Sequence, residues 1–352
     1  MEVDYLIVGQ GISGTMVSWF LHKAGKSFLV FENPKAPTAS LIAAGVINPV
    51  TGRRYAYTWM IDELIEFALV TYGELGKLFD IPLITEKSII DFFPSAQMRN
   101  AFIDRLNEND TFLHSYPSQN RFNEQFYYDF GCGEIKPAYF VDVQQLIELW
   151  KNKLTKEAKI FFEDFEVNKI EIVEHGIKYK EINAERILFC DGINGASNPW
   201  FKLLPFAPNK GEMLLIEAEE VNHHHIFKKG LMLVPLNQNQ YWVGSNYQWE
   251  FENDQPSESF LKSTTTHLKH WLKKPFKILS HHAAVRPATL ERRPFVGFHP
   301  VYPQIGILNG MGTKGVSLAP FFANQLVQHL VYNFPISNEA DIHRYSGILS
   351  KR

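Results

Sequence analysis

Apolar positions along the chain fall into two rhythms. Tyr5-Leu6-Ile7-Val8 and Phe28-Leu29-Val30-Phe31 are unbroken apolar runs, the pattern of parallel strands covered on both faces. Between them, Thr15 to Ala24 has helical spacing and Gly25 reads as its stop. Ile61, Leu64, Ile65, Ala68, Leu69, Tyr72 and Leu75 recur at three and four, which predicts a long amphipathic helix with one buried stripe. From Leu83 to Tyr128 the segments become short and aromatic, mostly strand and loop, so a second domain is predicted to be inserted there.

Helical spacing returns from Val141 to Leu154, and strands are predicted at Lys159 to Phe162, Phe165 to Val167, Ile170 to Ile172 and Arg186 to Cys190. Met213 to Glu217, Leu231 to Val234 and Tyr241 to Gly244 alternate as antiparallel strands do. Ile305 to Leu308 reads as a last buried strand, followed by a helix from Val316 to Leu330. Strand and helix alternate at both ends of the chain with antiparallel segments between, which predicts an α/β fold, α+β overall.

Bulk properties narrow the class. The chain has 352 residues, 45% of them hydrophobic, enough for a large core and about two domains. Its net charge of −3 gives no global attraction to nucleic acid or to an anionic membrane. Only Cys132 and Cys190 occur, which supports neither a disulfide framework nor a cysteine zinc site. No secretory pattern or run of about 18 apolar residues is present, so a reducing cytoplasm is the expectation.

The chemistry begins where the first strand turns into the first helix, at Gly9-Gln10-Gly11-Ile12-Ser13-Gly14. Gly9 allows a tight turn, Gly11 lets the backbone approach a pyrophosphate, and Gly14 lets helix and strand pack closely. Amides at the helix start would face the anion. Glu32 ends the second strand about 20 residues on, where a carboxylate accepts from ribose hydroxyls and repels a 2′-phosphate. The reading is a dinucleotide site in a Rossmann-like domain.

Further on, Asn33 to Ser40 is a proline-broken loop, and the small residues of Ala43-Ala44-Gly45-Val46 allow something flat to lie against the backbone, or close helix packing. Asp191-Gly192 forms a small-residue turn suited to the edge of a cofactor site. The run His223-His224-His225 cannot easily converge on one ion, and no metal is expected. Asn309-Gly310-Met311-Gly312-Thr313-Lys314-Gly315 is a second glycine-rich turn opening into a helix, so two helix starts can face one ligand.

Taken together, these motifs resemble the FAD-dependent amine and amino-acid oxidoreductase family that includes glycine oxidase, sarcosine oxidase and D-amino acid oxidase. The resemblance spans nearly the whole chain. It rests on Gly9-x-Gly11-x-x-Gly14 with Glu32, on Ser40-x-x-Ala43-Ala44-Gly45, on the block from Arg286-Pro287 to Pro294-x-x-Gly297, and on Gly310-x-Gly312-x-x-Gly315 with Leu318-Ala319-Pro320. It implies a discontinuous FAD-binding domain over residues 1–80, 141–200 and 281–352, with a β-rich substrate domain from 81–140 and 201–280.

Carried over by position, the likeness puts the pyrophosphate over Ile12 and Ser13 and the adenosine ribose at Glu32, with Asn33 among the cofactor-binding residues. Val167 would hold the adenine through its backbone. Ser40, Ala44, Gly45 and Val46 would lie along the flavin, Gly192 at its edge, and Met311, Gly312, Thr313, Lys314, Gly315 and Val316 at its pyrimidine end. Arg286 falls where glycine oxidase has the arginine that pairs with the substrate carboxylate, a task suited to its planar fork; an ion pair with Glu291 is the structural alternative. Lys314 would stabilise the reduced ring.

The sequence also departs from the family. Met232 stands where glycine oxidase has a tyrosine. Trp242 lies near the position of the oxygen-activating lysine of sarcosine oxidase, whose flavin-linking cysteine has no counterpart here. The turn Gly312-Thr313-Lys314-Gly315 is similar to the FAD domain of a bifunctional tRNA enzyme that oxidises a secondary amine on a base. A tRNA substrate would need a basic surface, and only scattered lysines such as Lys228, Lys229, Lys273 and Lys274 are on offer. The expectation is an oxidoreductase with non-covalent FAD, oxidising the C–N bond of a small amine or amino acid by hydride transfer to flavin N5. A non-catalytic flavin-binding protein is the other alternative, and no motif names the electron acceptor.

Overall fold

The computed structural model describes residues 1–34, 38–108, 110–237 and 239–351. Two large sheets organise it. The first has eight strands, with Glu2–Val8 between Phe28–Glu32 and Ile182–Phe189, all parallel. Ile160–Phe162 adds in parallel beyond Phe28–Glu32, and Ile305–Asn309 adds in parallel to the last residues of Ile182–Phe189. Gly176–Tyr179, Ile170–Val173 and Phe295–Phe298 extend the sheet antiparallel. The apolar runs of the central strands are buried, as two covered faces require.

Helices Ile12–Lys23 and Gly315–Tyr332 pack against each other, and the long helix Ile61–Phe79 packs on the second of these. Ile61–Phe79 buries the expected stripe except Leu69, which is 38% exposed. Leu69 follows Ala68 by one position, about 100° round the helix, and so turns out of the stripe. Pro320 lies inside Gly315–Tyr332. A proline has no N–H to give to the carbonyl four residues earlier. That carbonyl, on Val316, is taken instead by the buried Tyr72 hydroxyl at 2.7 Å.

The second sheet has nine strands in the order Phe276–Arg286, Asn209–Ala218, Gln240–Gly244, Leu231–Pro235, His225–Lys229, Ile84–Phe92, Cys132–Val141 and Val46–Ile47, with Leu113–Ser115 on Cys132–Val141. All pairs are antiparallel except that of His225–Lys229 with Ile84–Phe92.

Several local readings need correction. The stretch from Leu83 to Tyr128 contains a helix, Ala96–Asn107, in which Phe102 is fully buried and Met98, Ala101 and Leu106 pack half-buried beside it. Glu258–Trp271 is a further helix in a region read as strands. Phe165 to Val167 is not a strand: Val167 opens a short 3-10 turn ending at Lys169. Two of the three histidine rings are engaged locally, with His223 Nε2 2.9 Å from the Tyr241 hydroxyl and His225 Nδ1 2.7 Å from Ser88 Oγ.

Candidate active site

A cavity of about 670 Å³ runs between the two sheets, within the range of cofactor and substrate pockets. Its wall includes Gly9, Gly11, Ile12, Ser13, Glu32 and Asn33 at one end, then Ser40, Ala44, Gly45 and Val46, with Val167 and Gly192. Met311, Gly312, Thr313, Lys314, Gly315, Val316 and Arg286 also line it. Gly14 alone of the sequence-predicted residues stands behind the wall.

The reason for a glycine at 14 is direct. A Cβ there would sit 1.9 Å from the Gly9 carbonyl oxygen, so the turn and the helix could not both keep their places. Gly9 itself is left-handed at φ +96, and its amide donates to Phe31 O at 2.8 Å. The next amide, on Gln10, donates to Glu32 Oε2 at 2.6 Å. Burial pushes the Glu32 carboxyl above its ordinary value, and that amide works against the rise. One amide expected to face an anion is already engaged: Ile12 N donates to Ser40 Oγ at 3.1 Å. Gly45 has a packing reason of its own, since a Cβ would meet Val141 O at 2.0 Å.

The start of helix Gly315–Tyr332 comes up against the start of Ile12–Lys23, so that a Cβ on Gly315 would stand 3.2 Å from Ile12 Cγ2. Their positive ends converge on one cavity. Beside them Lys314 Nζ donates to Thr58 Oγ1 at 2.7 Å. Burial, with the nearby Arg292 charge, brings the Lys314 ammonium down to about 8.

Arg286 ends the strand Phe276–Arg286 and reaches back over Gly211, where a Cβ would collide with its guanidinium at 1.7 Å. Nη1 donates to Asn209 Oδ1 at 2.7 Å and Asn246 O at 3.2 Å, and Nη2 donates to Ser245 Oγ at 2.7 Å. The Tyr247 ring lies 5.0 Å from the guanidinium carbon. Every one of these partners is neutral. Glu291 is instead 3.5 Å from Arg344 Nε, and among the described residues no carboxylate forms an ion pair with Arg286. Met232 and Trp242 line the same cavity, the latter donating Nε1 to Ile42 O at 2.9 Å.

Sequence reading passed over Thr58, Asn209, Ser245, Asn246 and Tyr247, and noticed Asp191 only as part of a small-residue turn. For Asp191 a signal existed, because an acid at the end of an apolar strand is what singled out Glu32. Its carboxylate accepts from Asn309 Nδ2 at 2.9 Å and Asn198 Nδ2 at 3.3 Å, and burial raises it to about 6. The lysines considered for a basic surface are each engaged. Lys228 pairs with Asp91 at 2.7 Å and Lys274 with Glu220, Lys229 donates to Tyr127 O at 2.7 Å, and Lys273 lies over the Tyr127 ring. No metal-binding group of His, Cys, Asp or Glu occurs among the described residues, and none of their helices is long and apolar enough to cross a membrane.

Comparison with known proteins agrees with this architecture. The FAD dependent oxidoreductase (DAO) family matches residues 4–329. A glycine oxidase of Bacillus licheniformis is 23% identical, covering 96% of this chain and 95% of that protein. Among solved structures, glycine oxidase from Geobacillus kaustophilus superposes with a TM-score of 0.79 at 18% identity, covering 100% of this chain and 99% of that one. Iminodiacetate oxidase from a Chelativorans species gives 0.77 at 18% identity, covering 97% and 98%.

The residues present suit the cofactor of that family. A turn closed to side chains at Gly14, a buried carboxylate at the end of the second strand, and two helix starts meeting at Ile12 and Gly315 provide for a ribose and for phosphate charge. With fold, cavity and family match in agreement, the chain belongs to the DAO family and is an FAD-dependent oxidoreductase.

Proposed function

We propose that this enzyme oxidises the C–N bond of a small amine or amino acid that carries a carboxylate, with FAD held non-covalently. The observation that carries the reading is Arg286, a permanently charged fork in the cavity wall surrounded by neutral partners. Arg286 is half-buried, desolvation works against its charged form, and a charge drawn out of water without a counter-ion is costly. A substrate carboxylate would supply the missing charge with bidentate geometry. The two relatives named for glycine and iminodiacetate are named for amines bearing carboxylates, which supports the same class.

In this reading residues 1–80, 141–200 and 281–352 form the FAD domain, and 81–140 with 201–280 form the substrate domain. Gly9 to Gly14 and Glu32 hold the adenosine diphosphate part, and Val167 borders the adenine. Ser40, Ala44, Gly45, Val46, Gly192 and the turn from Met311 to Val316 line the rest. When bound, FAD supplies at N5 the acceptor for the hydride leaving the carbon beside a neutral amine, with water then hydrolysing the imine. Arg286 orients that carbon by fixing the carboxylate, which is catalysis by position. Lys314, held on Thr58, and the helix start behind it place positive charge where reduction adds negative charge. Met232 and Trp242 close the apolar side and limit substrate size.

Arg286→Lys tests this. It keeps the charge and loses the fork, so flavin content stays at the parental level while carboxylate affinity, read from perturbation of the flavin spectrum, falls by about 1.5–3 kcal/mol. Unchanged carboxylate affinity would make Arg286 part of the scaffold and reopen the substrate class.

A further inference from the structure

Strand Asn209–Ala218 carries Lys210, Gly211 and Glu212 in succession. Gly211 leaves the space that the Arg286 guanidinium fills. On either side of it, Lys210 and Glu212 are buried charged residues, 4% and 0% exposed, and both grip the segment from Ser245 to Ser257. Lys210 Nζ donates to Gln255 O, and the Lys210 and Gln248 backbones pair in both directions. Glu212 Oε2 accepts from Ser257 N at 2.6 Å and lies 3.0 Å from His281 Nε2, while Oε1 accepts from Ser257 Oγ at 2.7 Å.

The same carboxylate reaches the fork through one residue. Asn246 Oδ1 accepts from Glu212 N at 2.7 Å and its Nδ2 donates to Glu212 Oε1 at 3.4 Å, while Asn246 O accepts from Arg286 Nη1. Ser245, next in the chain, holds Arg286 Nη2, and Tyr247 covers the guanidinium. Three consecutive residues therefore touch or cover Arg286, and the middle one is fastened to Glu212 by two hydrogen bonds. Burial alone would raise the Glu212 carboxyl, yet its donors and the Lys210 charge outweigh burial and hold it below the ordinary value, so the clamp is ionised at neutral pH.

We propose that Glu212 is a positioning residue for substrate recognition, setting the angle of the Arg286 fork through Asn246 and the Ser245–Ser257 segment. The inference rests on the carboxylate reading of Arg286 given above. Replacing the carboxylate by an amide would turn an NH2 group toward donors on Ser257, His281 or Asn246, and the segment would shift against the fork.

The test uses holoenzyme and acetate as the carboxylate probe, with acetamide as its uncharged isostere, each followed by the change in flavin absorbance. Glu212→Gln is expected to keep its flavin and its response to acetamide while binding acetate about tenfold more weakly. In Arg286→Lys the added Glu212→Gln change should cost acetate binding less than twofold, because the geometry it disturbs is already gone; a general loosening of the fold would cost the same in both backgrounds. Acetate affinity within twofold of the parent in Glu212→Gln, with Arg286→Lys impaired, would overturn the positioning role alone. Unimpaired acetate binding in Arg286→Lys, or no response of the parent, would overturn the reading of Arg286 and this inference with it. If Glu212→Gln does not fold, Asn246→Ala decides, since it cuts the link and leaves the carbonyl on Arg286: selective loss of acetate binding supports the role and retention ends it.

Discussion

The two ends of the cavity are built on opposite principles. At the end lined by Gly9 to Ser13 and Glu32 the decisive atoms belong to the backbone: the carbonyl of Gly9 that forbids a side chain at 14 and the amide of Gln10 on Glu32. At the end lined by Arg286 and Lys314 they belong to side chains, with Arg286 held by Asn209 and Ser245 and Lys314 held by Thr58. A site made of backbone is rigid and tolerates no added bulk. One made of side chains can be retuned by single substitutions, so the contrast predicts where change will be catastrophic and where it will be selective.

The largest effect is expected from Gly14→Ala. Its new Cβ has only backbone to push against, and the overpacking should cost about 3 kcal/mol or more. Flavin per mole of purified protein and Tm should fall together. A variant that holds full flavin would show that the turn is softer than its contacts imply.

Next comes Glu32→Ala, which takes the acceptor away from the buried Gln10 amide and should weaken flavin binding by about 1–3 kcal/mol. Acetate affinity of the remaining holoenzyme should be unchanged. Loss of acetate binding as well would erase the distinction between the ends.

An effect read against pH belongs to Lys314. Its folded value of about 8 lies below the ordinary 10.5, so between those pH values the unfolded chain binds more protons than the folded one. Stability contributed at this site therefore rises with pH across that window and is flat below it. The Tm of the parent relative to Lys314→Met should improve between pH 8 and 10 and hold constant between pH 6 and 7. A constant difference throughout would mean that Lys314 is not desolvated in solution.

The contrast also explains what the sequence made legible. Buried parallel strands announce themselves as short apolar runs, and a glycine turn with a following acid is local information. Helix Ala96–Asn107 is quiet because its stripe of Met98, Ala101, Phe102 and Leu106 is short and only Phe102 is fully buried, and Glu258–Trp271 interrupts its stripe of Phe260, Leu268 and Trp271 with the polar Thr264. Arg286 could be singled out by the family likeness of the block from Arg286-Pro287 to Gly297. Its partners could not, because Asn209, Ser245 and Asn246 are ordinary polar residues 40 to 77 positions away along the chain, and only the strand register brings them together.

The order of the first sheet bears on how the protein is made. Glu2–Val8 has one of its two neighbours within the next 25 residues or so and the other at Ile182–Phe189, which in turn receives Ile305–Asn309. Synthesis runs at about 5–20 residues per second. The first strand therefore waits on the order of ten seconds or more for its second neighbour, and longer for the helix that closes on Ile12. During that interval an apolar edge is open to wrong pairing, and the cofactor has half a cradle. The two helix starts that meet at Ile12 and Gly315 come from segments made far apart in time.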